Sequence, residues 1–213
     1  MQRQYSDRPG KLFETGSGFY YYTGKIFDLL VLSVLWLLGS IPVITAGTAL
    51  CGLYAAAERN IVQDKGKVSE QFWNSYKKNL KSGIFLGMLF AASLFLLLLN
   101  LGIVWNKMDG LVRLFFVLLY LFCLVFCIMV GQYAFPAMSR FDMPVGWIIK
   151  LAVYLTVKHL PLSVLLAVLT GIGYVLALSM PVLLLVLPGV IAYLSALFVA
   201  PILDQHMPET TVQ

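Results

Sequence analysis

The most regular feature of the chain is a series of long apolar stretches separated by short polar connections. Residues 84–104, 114–135 and 182–203 are each long enough to cross the hydrocarbon core as a helix, which takes about 20 residues. Residues 160–179 also qualify, and Pro181 then forces a break before the last stretch. The pattern predicts an all-α, polytopic transmembrane helix bundle.

Residues 26–62 allow more than one interpretation. Residues 26–41 form a short apolar run that ends at Gly39 and Pro42, and residues 43–62 form a second run rich in alanine and glycine. If both runs cross the membrane, the bundle has six spans. If the region crosses once, the alternative is five. The region could also form a re-entrant hairpin instead of crossing twice.

The basic residues favour six spans. With two crossings in this region, every lysine and arginine except Lys107 and Arg113 lies on one side of the membrane. With one crossing, the basic residues before position 26 lie opposite those between positions 59 and 81. Because lysine and arginine are enriched in cytoplasmic loops, we expect six spans with both termini cytoplasmic. The predicted organisation is a polar segment (1–25), one transmembrane domain (26–203, with spans 26–41, 43–62, 84–104, 114–135, 160–179 and 182–203) and a tail (204–213).

Composition agrees with a membrane protein of one domain. The chain is 60% hydrophobic and 12% charged, whereas soluble domains are about 45–50% apolar and about 25% charged. Lipid must therefore cover much of its surface. The net charge of +5 does not indicate nucleic-acid binding, because the basic residues flank the apolar spans.

Two segments are predicted to lie at the membrane surface. In residues 68–81, apolar side chains recur every four positions from Val68, and lysines occupy the other faces. Such a helix either anchors the chain on anionic lipid headgroups or offers a docking surface to a cytoplasmic partner. Its candidate docking residues are Phe72, Trp73, Tyr76, Lys77, Lys78, Asn79 and Lys81. Residues 145–158 are either a second such helix or a continuation into the next span.

A short internal similarity accompanies these two segments. Residues 52–55 (GLYA) resemble residues 131–134 (GQYA), and an arginine follows each, at Arg59 and Arg140. A predicted surface helix and an outward span then follow in both places. This order predicts a parallel internal repeat.

The connection between the first two predicted helices is a candidate structural turn or small polar site. Its residues are Pro42, Thr45, Gly47 and Tyr54. In one interpretation Thr45 contributes to a polar site at the outer face. In the other it caps free N–H groups at the turn of a helical hairpin.

Small and polar residues within the spans predict helix packing. Gly83, Gly87 and Ala91 form a stripe that allows another helix to approach closely. That helix belongs to the same chain, to a second copy in a homo-oligomer or to a transporter subunit. Asn100, Gln132 and Thr170 are expected to form hydrogen bonds across helices.

Three motifs resemble the YesL-like family of bacterial integral membrane proteins, a domain of unknown function. They are LWLL at 35–38 leading into IPVITAG at 41–47, then Ala49 with Leu53 and Tyr54, and Phe72 with YKKNLK at 76–81. The chain departs from the family pattern with Ser33 in place of asparagine, and with Tyr76 and Leu80 in place of phenylalanine. The resemblance implies a location in the bacterial inner membrane. It also implies an association with carbohydrate uptake, beside sugar importers of the ATP-binding-cassette class.

The sequence offers no constellation of catalytic or cofactor-binding residues. It lacks the HExxH, GxSxG and P-loop motifs and paired acids, and Cys123 and Cys127 have no further metal ligands near them. No Asp, Glu or His lies in the middle of a span, which argues against proton coupling. We therefore expect a non-enzymatic accessory or assembly partner, without cofactor or metal. The alternative is a small-solute transporter or channel in its own right.

Overall fold

The computed structural model describes residues 17–63 and 66–204, and within them the chain forms helices and no strand. The α-helices of this part are α1 (Ser17–Gly39), α2 (Ala46–Ala56), α3 (Val68–Lys78), α4 (Leu80–Lys107), α5 (Gly110–Arg140), α6 (Val145–Lys158), α7 (Leu160–Ser179) and α8 (Leu187–Asp204). The prediction of an all-α fold is confirmed. Most of the predicted segment 1–25 and of the tail 204–213 lies outside the described residues.

Within the part of the chain that the structure describes, four helices are long and apolar enough to cross a membrane: α4, α5, α7 and α8. They correspond to the four stretches that the sequence predicted most directly. The last one begins later than expected, because Pro181–Leu185 forms a 3-10 turn and α8 starts only at Leu187. Pro188 fits this start, since the first turn of a helix needs no N–H donor at that position.

Helices α1 and α2 do not meet the same criterion. Helix α2 has 11 residues, a length of about 16 Å, and a π-helical segment, Ala57–Val62, continues it. The apolar part of α1 begins only after Lys25 and contains Asp28. Helix α2 is nevertheless the centre of the fold, because it packs against α1, α3, α4, α5 and α8.

Helices α4 and α5 form a long hairpin whose most apolar stretches the rest of the protein hardly covers. Their 28 and 31 residues correspond to lengths of about 42 Å and about 46 Å. Only 6% and 11% of their most apolar stretches are buried, against 50% for α8. The turn between them places Gly110 at a φ of 66°, a conformation that favours glycine. The uncovered apolar faces require lipid or another apolar surface.

The two predicted surface segments are helices that each bend directly into a long helix. A single non-helical residue, Asn79 or His159, joins α3 to α4 and α6 to α7. The helix expected at 68–81 therefore ends at Lys78, and Lys81 belongs to α4. The order of α2, α3 and α4 recurs in α5, α6 and α7, with α3 packed on α2 and α6 packed on α5.

Candidate functional sites

Three helix ends meet at Arg140, the last residue of α5. Its Nε donates to Oε2 of Glu58 over 2.7 Å, and its Nη2 donates to Oε1 of the same carboxylate. Its Nη1 donates to Oδ1 of Asp204 over 2.7 Å and to the carbonyl oxygen of Ala200 over 3.2 Å. Gln63 contributes a further hydrogen bond to the same carboxylate, with its Nε2 donating to Oε1 of Glu58 over 3.2 Å.

The Arg140–Glu58 pair is buried, and its role is structural. The two side chains are 7% and 11% exposed, so neither charge has enough water around it to remain stable alone. Glu58 is the second residue of the π-helical segment Ala57–Val62 that continues α2, and Arg140 and Asp204 are the last residues of α5 and α8, so Arg140 joins the C-terminal parts of three helices. Arg59, beside Glu58, is exposed and contacts Gln71 over 3.4 Å instead.

Part of the predicted docking helix faces inward. Phe72 is completely buried and lies against Gly52, where an added Cβ would be 3.0 Å from its ring. The Tyr76 ring stacks on Phe72 with 6.0 Å between the ring centres. Asn79 is also buried, and its amide donates to the carbonyl oxygen of Ser75 over 3.2 Å. These residues hold α3 in place and are not available to a partner.

The outward face of α3 carries the remaining candidates. Trp73 is 39% exposed, Lys77 is exposed on α3, and Lys81 is exposed in the first turn of α4, beyond the bend at Asn79. Lys78 forms an ion pair of 2.8 Å with Asp142, which follows α5. Both partners of that pair are largely exposed, so it contributes little to stability. The outward face of α3 therefore carries an aromatic ring and lysines, together with the exposed Glu70 in its first turn.

The candidate polar site at the first turn is not assembled. Thr45 stands at the N-cap position of α2, but its side chain makes no capping bond to an N–H group, contrary to one interpretation. Its hydroxyl instead points to the carbonyl oxygens of Gly39 at 2.9 Å and Pro42 at 2.8 Å, which closes the end of α1. Tyr54 lies nine positions along α2, about 13 Å away along the helix axis.

Gly47 belongs to a helix crossing. An added Cβ on Gly47 would lie 2.5 Å from both the carbonyl oxygen of Gly83 and the Cα of Gly87. The small-residue stripe of α4 thus packs on α2 of the same chain, with the two backbones in direct contact. Ala91, the third residue of that stripe, is exposed and lines a crevice instead.

Two crevices lie on either side of Tyr54. The larger, about 1050 Å³ to its open mouth, is bounded by α2, α4, α5 and α7. The smaller, about 490 Å³, lies between α1, α2, α7 and α8. Leu50, Tyr54, Thr170 and Tyr174 line both crevices. No side chain that lines them, among the described residues, carries a formal charge.

One predicted hydrogen bond across helices is found in the larger crevice. The amide nitrogen of Gln132 donates to the hydroxyl oxygen of Thr170 over 3.0 Å and joins α5 to α7. Asn100 does not bridge helices, because its amide donates to the carbonyl oxygen of Leu96 in its own helix. The sequence predicted that Gln132 forms a hydrogen bond across helices. It did not predict the crevice around Gln132, because the crevice depends on how four helices are arranged.

Long apolar helices with uncovered faces, joined at one end by a buried ion pair, define a helical membrane protein. Residues 29–101 match the family described as "Protein of unknown function, DUF624", to which the YesL-like proteins belong. The resemblance expected from the sequence motifs is confirmed over this segment, which contains α2 and α3 entirely. No curated protein and no solved structure shows significant similarity to the chain.

Proposed function

We propose that the protein is a non-enzymatic accessory of the bacterial inner membrane that holds a partner at the cytoplasmic surface through α3. The observation that carries this proposal is the division of α3 into two faces. Phe72 and Asn79 fix the helix on the bundle, while Trp73, Lys77 and Lys81 face outward. A rigidly seated aromatic and cationic face is suited to binding because little side-chain and backbone freedom is lost on docking.

The proposed topology has six spans with both termini in the cytoplasm. Two observations support it: the basic residues concentrate on one side of such a threading, and α2, α5 and α8 end together at Arg140. In this arrangement α3 and α6 lie at the cytoplasmic surface. Lys107, at the end of α4, faces the opposite side.

The proposed partner is a component of a sugar importer of the ATP-binding-cassette class with an acidic cytoplasmic surface. The family resemblance supports the link to carbohydrate uptake, and the exposed Lys77 and Lys81 support the charge of the partner. Anionic lipid headgroups surround the same face and hold α3 in the interfacial plane.

The experiment compares the double variant Lys77→Glu, Lys81→Glu with the control Lys107→Glu. Both are expressed at native level and purified from native membranes with mild detergent. We expect the double variant to lose the co-purifying importer component and to slow growth on the imported carbohydrate, while the control does neither. Equal recovery of the importer from all three proteins would refute docking through α3.

A small-solute transporter or channel is the second candidate function, and the crevices beside Tyr54 are the observation that favours it. Their lining is mostly aliphatic and aromatic, so a free sugar would leave several hydroxyl groups without partners. Purified protein in liposomes that moves a labelled small solute would establish this function and displace the accessory role.

A further inference from the structure

Gln132, which lines the larger crevice, has a buried polar atom without a hydrogen-bond partner. The side chain is 5% exposed, and its amide nitrogen is engaged with Thr170 while its amide oxygen has no partner. If the amide is turned over, its oxygen accepts from Thr170 and its nitrogen is left unpaired. In either orientation one buried donor or acceptor lacks a hydrogen bond, which is costly in an apolar environment. A ligand group that donates or accepts a hydrogen bond there would remove this cost.

The surroundings of Gln132 define what that group belongs to. The crevice is lined by small or apolar side chains, including Gly87, Leu94 and Ile128, and by the neutral hydroxyls of Thr170 and two tyrosines. A charged ligand would find no counter-charge there. A molecule with many hydroxyl groups would find too few partners. The part of the crevice that is comparable with a cavity has a volume of about 380 Å³, near the lower end of the usual range for small-molecule sites, roughly 300–1000 Å³.

Two of the helices that bound the crevice, α4 and α7, qualify as membrane spans. Ala91 of α4 and Gly171 of α7 are exposed at its rim, and both helices are apolar along their length. A ligand that enters from the side therefore comes from the hydrocarbon region of the bilayer. This route selects molecules that already partition into lipid.

We infer that this crevice binds an uncharged, single-chain amphiphile of the bilayer through one terminal hydroxyl group. The hydroxyl pairs with the free amide atom of Gln132, and because a hydroxyl both donates and accepts, it satisfies either orientation of the amide. The hydrocarbon chain lies against the apolar side chains of α4 and α5. This site is separate from the outward face of α3 and is independent of the proposed docking role.

Photolabelling in liposomes tests this assignment. The probe is a long-chain primary alcohol with a diazirine in its chain, compared with the methyl ether and the carboxylic acid of the same chain. We expect the alcohol to label residues of the crevice, such as Leu94 and Cys127, in preference to both analogues. In Gln132→Leu we expect labelling to fall about tenfold, the factor that corresponds to ~1.4 kcal/mol.

Two further variants keep the test decisive if Gln132→Leu folds poorly. Gly171→Leu adds a side chain at the rim, where a Cβ would meet nothing within 4 Å, and it should block labelling by filling the entrance. Gly102→Leu is the matched control, because its Cβ site is equally open and it does not line the crevice. Equal labelling by the alcohol and its methyl ether, or full labelling of Gly171→Leu, would overturn the inference.

Discussion

Arg140 donates hydrogen bonds to both carboxylate oxygens of Glu58, a residue 82 positions earlier in the chain. The bond joins the C-terminal end of α5 to the π-helical continuation of α2, and the same guanidinium reaches Asp204 at the end of α8. Because both side chains of the Arg140–Glu58 pair are nearly buried, each charge depends on the other for its stability. Through these bonds Arg140 fixes the ends of α5 and α8 and the π-helical continuation of α2 relative to one another along the bundle axis.

Removing one partner of this pair should destabilise the protein. Arg140→Leu leaves Glu58 as an uncompensated buried charge, and we expect a loss of about 3–5 kcal/mol in the free energy of unfolding. Glu58→Leu leaves Arg140 with Asp204 as an ionic partner, so we expect a smaller loss. The measurement is unfolding in mixed micelles followed by circular dichroism.

The double variant Glu58→Leu, Arg140→Leu should recover most of that loss, since no buried charge remains. The control Asp204→Asn alters only an exposed partner and should stay within about 1 kcal/mol of the native protein. A double variant no more stable than Arg140→Leu would contradict the view that unpaired charge is the cause.

The crossing of α2 and α4 should tolerate no side chain at Gly47. In Gly47→Ala the new Cβ meets backbone atoms of Gly83 and Gly87 at 2.5 Å, so the helices must separate. We expect a loss of about 1–3 kcal/mol in the free energy of unfolding, measured as above. Gly102→Ala, in open space on α4, should instead be neutral or stabilising by roughly 0.5–1 kcal/mol.

The two faces of α3 should respond differently to truncation. Phe72→Ala removes a fully buried ring and should lower the free energy of unfolding by about 3–5 kcal/mol. Lys77→Ala, on the exposed face of the same helix, should change it by no more than about 0.5 kcal/mol. Similar losses in both variants would mean that the face assigned to the solvent is packed.

Cysteine labelling in intact cells should report the six-span arrangement. The background replaces Cys51, Cys123 and Cys127 with alanine. An impermeant thiol reagent added from outside should then modify Ile41→Cys and Lys107→Cys but not Lys77→Cys until the cells are opened. If Ile41→Cys reacts only after opening, the first two helices do not both cross.

The sequence predicted the parts of the fold that depend on local pattern. Residues 145–158 and 160–179 coincide with α6 and α7, because a proline or histidine marks each boundary and the apolar period between them is regular. The predicted boundary between the surface helix 68–81 and the span 84–104 lies within a few residues of the observed bend at Asn79. These features need only the spacing of residues along one segment.

The relationships between segments were beyond the sequence. The stripe at Gly83 and Gly87 indicated a close helix contact but not that Gly47 is its partner. Phe72 lies in the same aromatic and basic run as Trp73, and only packing against Gly52 shows that it faces inward. Glu58 could pair with the adjacent Arg59 or with the distant Arg140, and tertiary geometry decides for the latter.

The unequal lengths of the helices give the protein an uneven perimeter. On one side α4 and α5 extend for about 42 Å and about 46 Å, while α7, which is also largely uncovered, extends for only about 30 Å. Lipids beside the long pair must stretch or the pair must tilt, whereas α7 matches a hydrocarbon core of about 30 Å. The protein therefore imposes a gradient of bilayer thickness on its surroundings, and its stability should respond to the acyl-chain length of the host membrane.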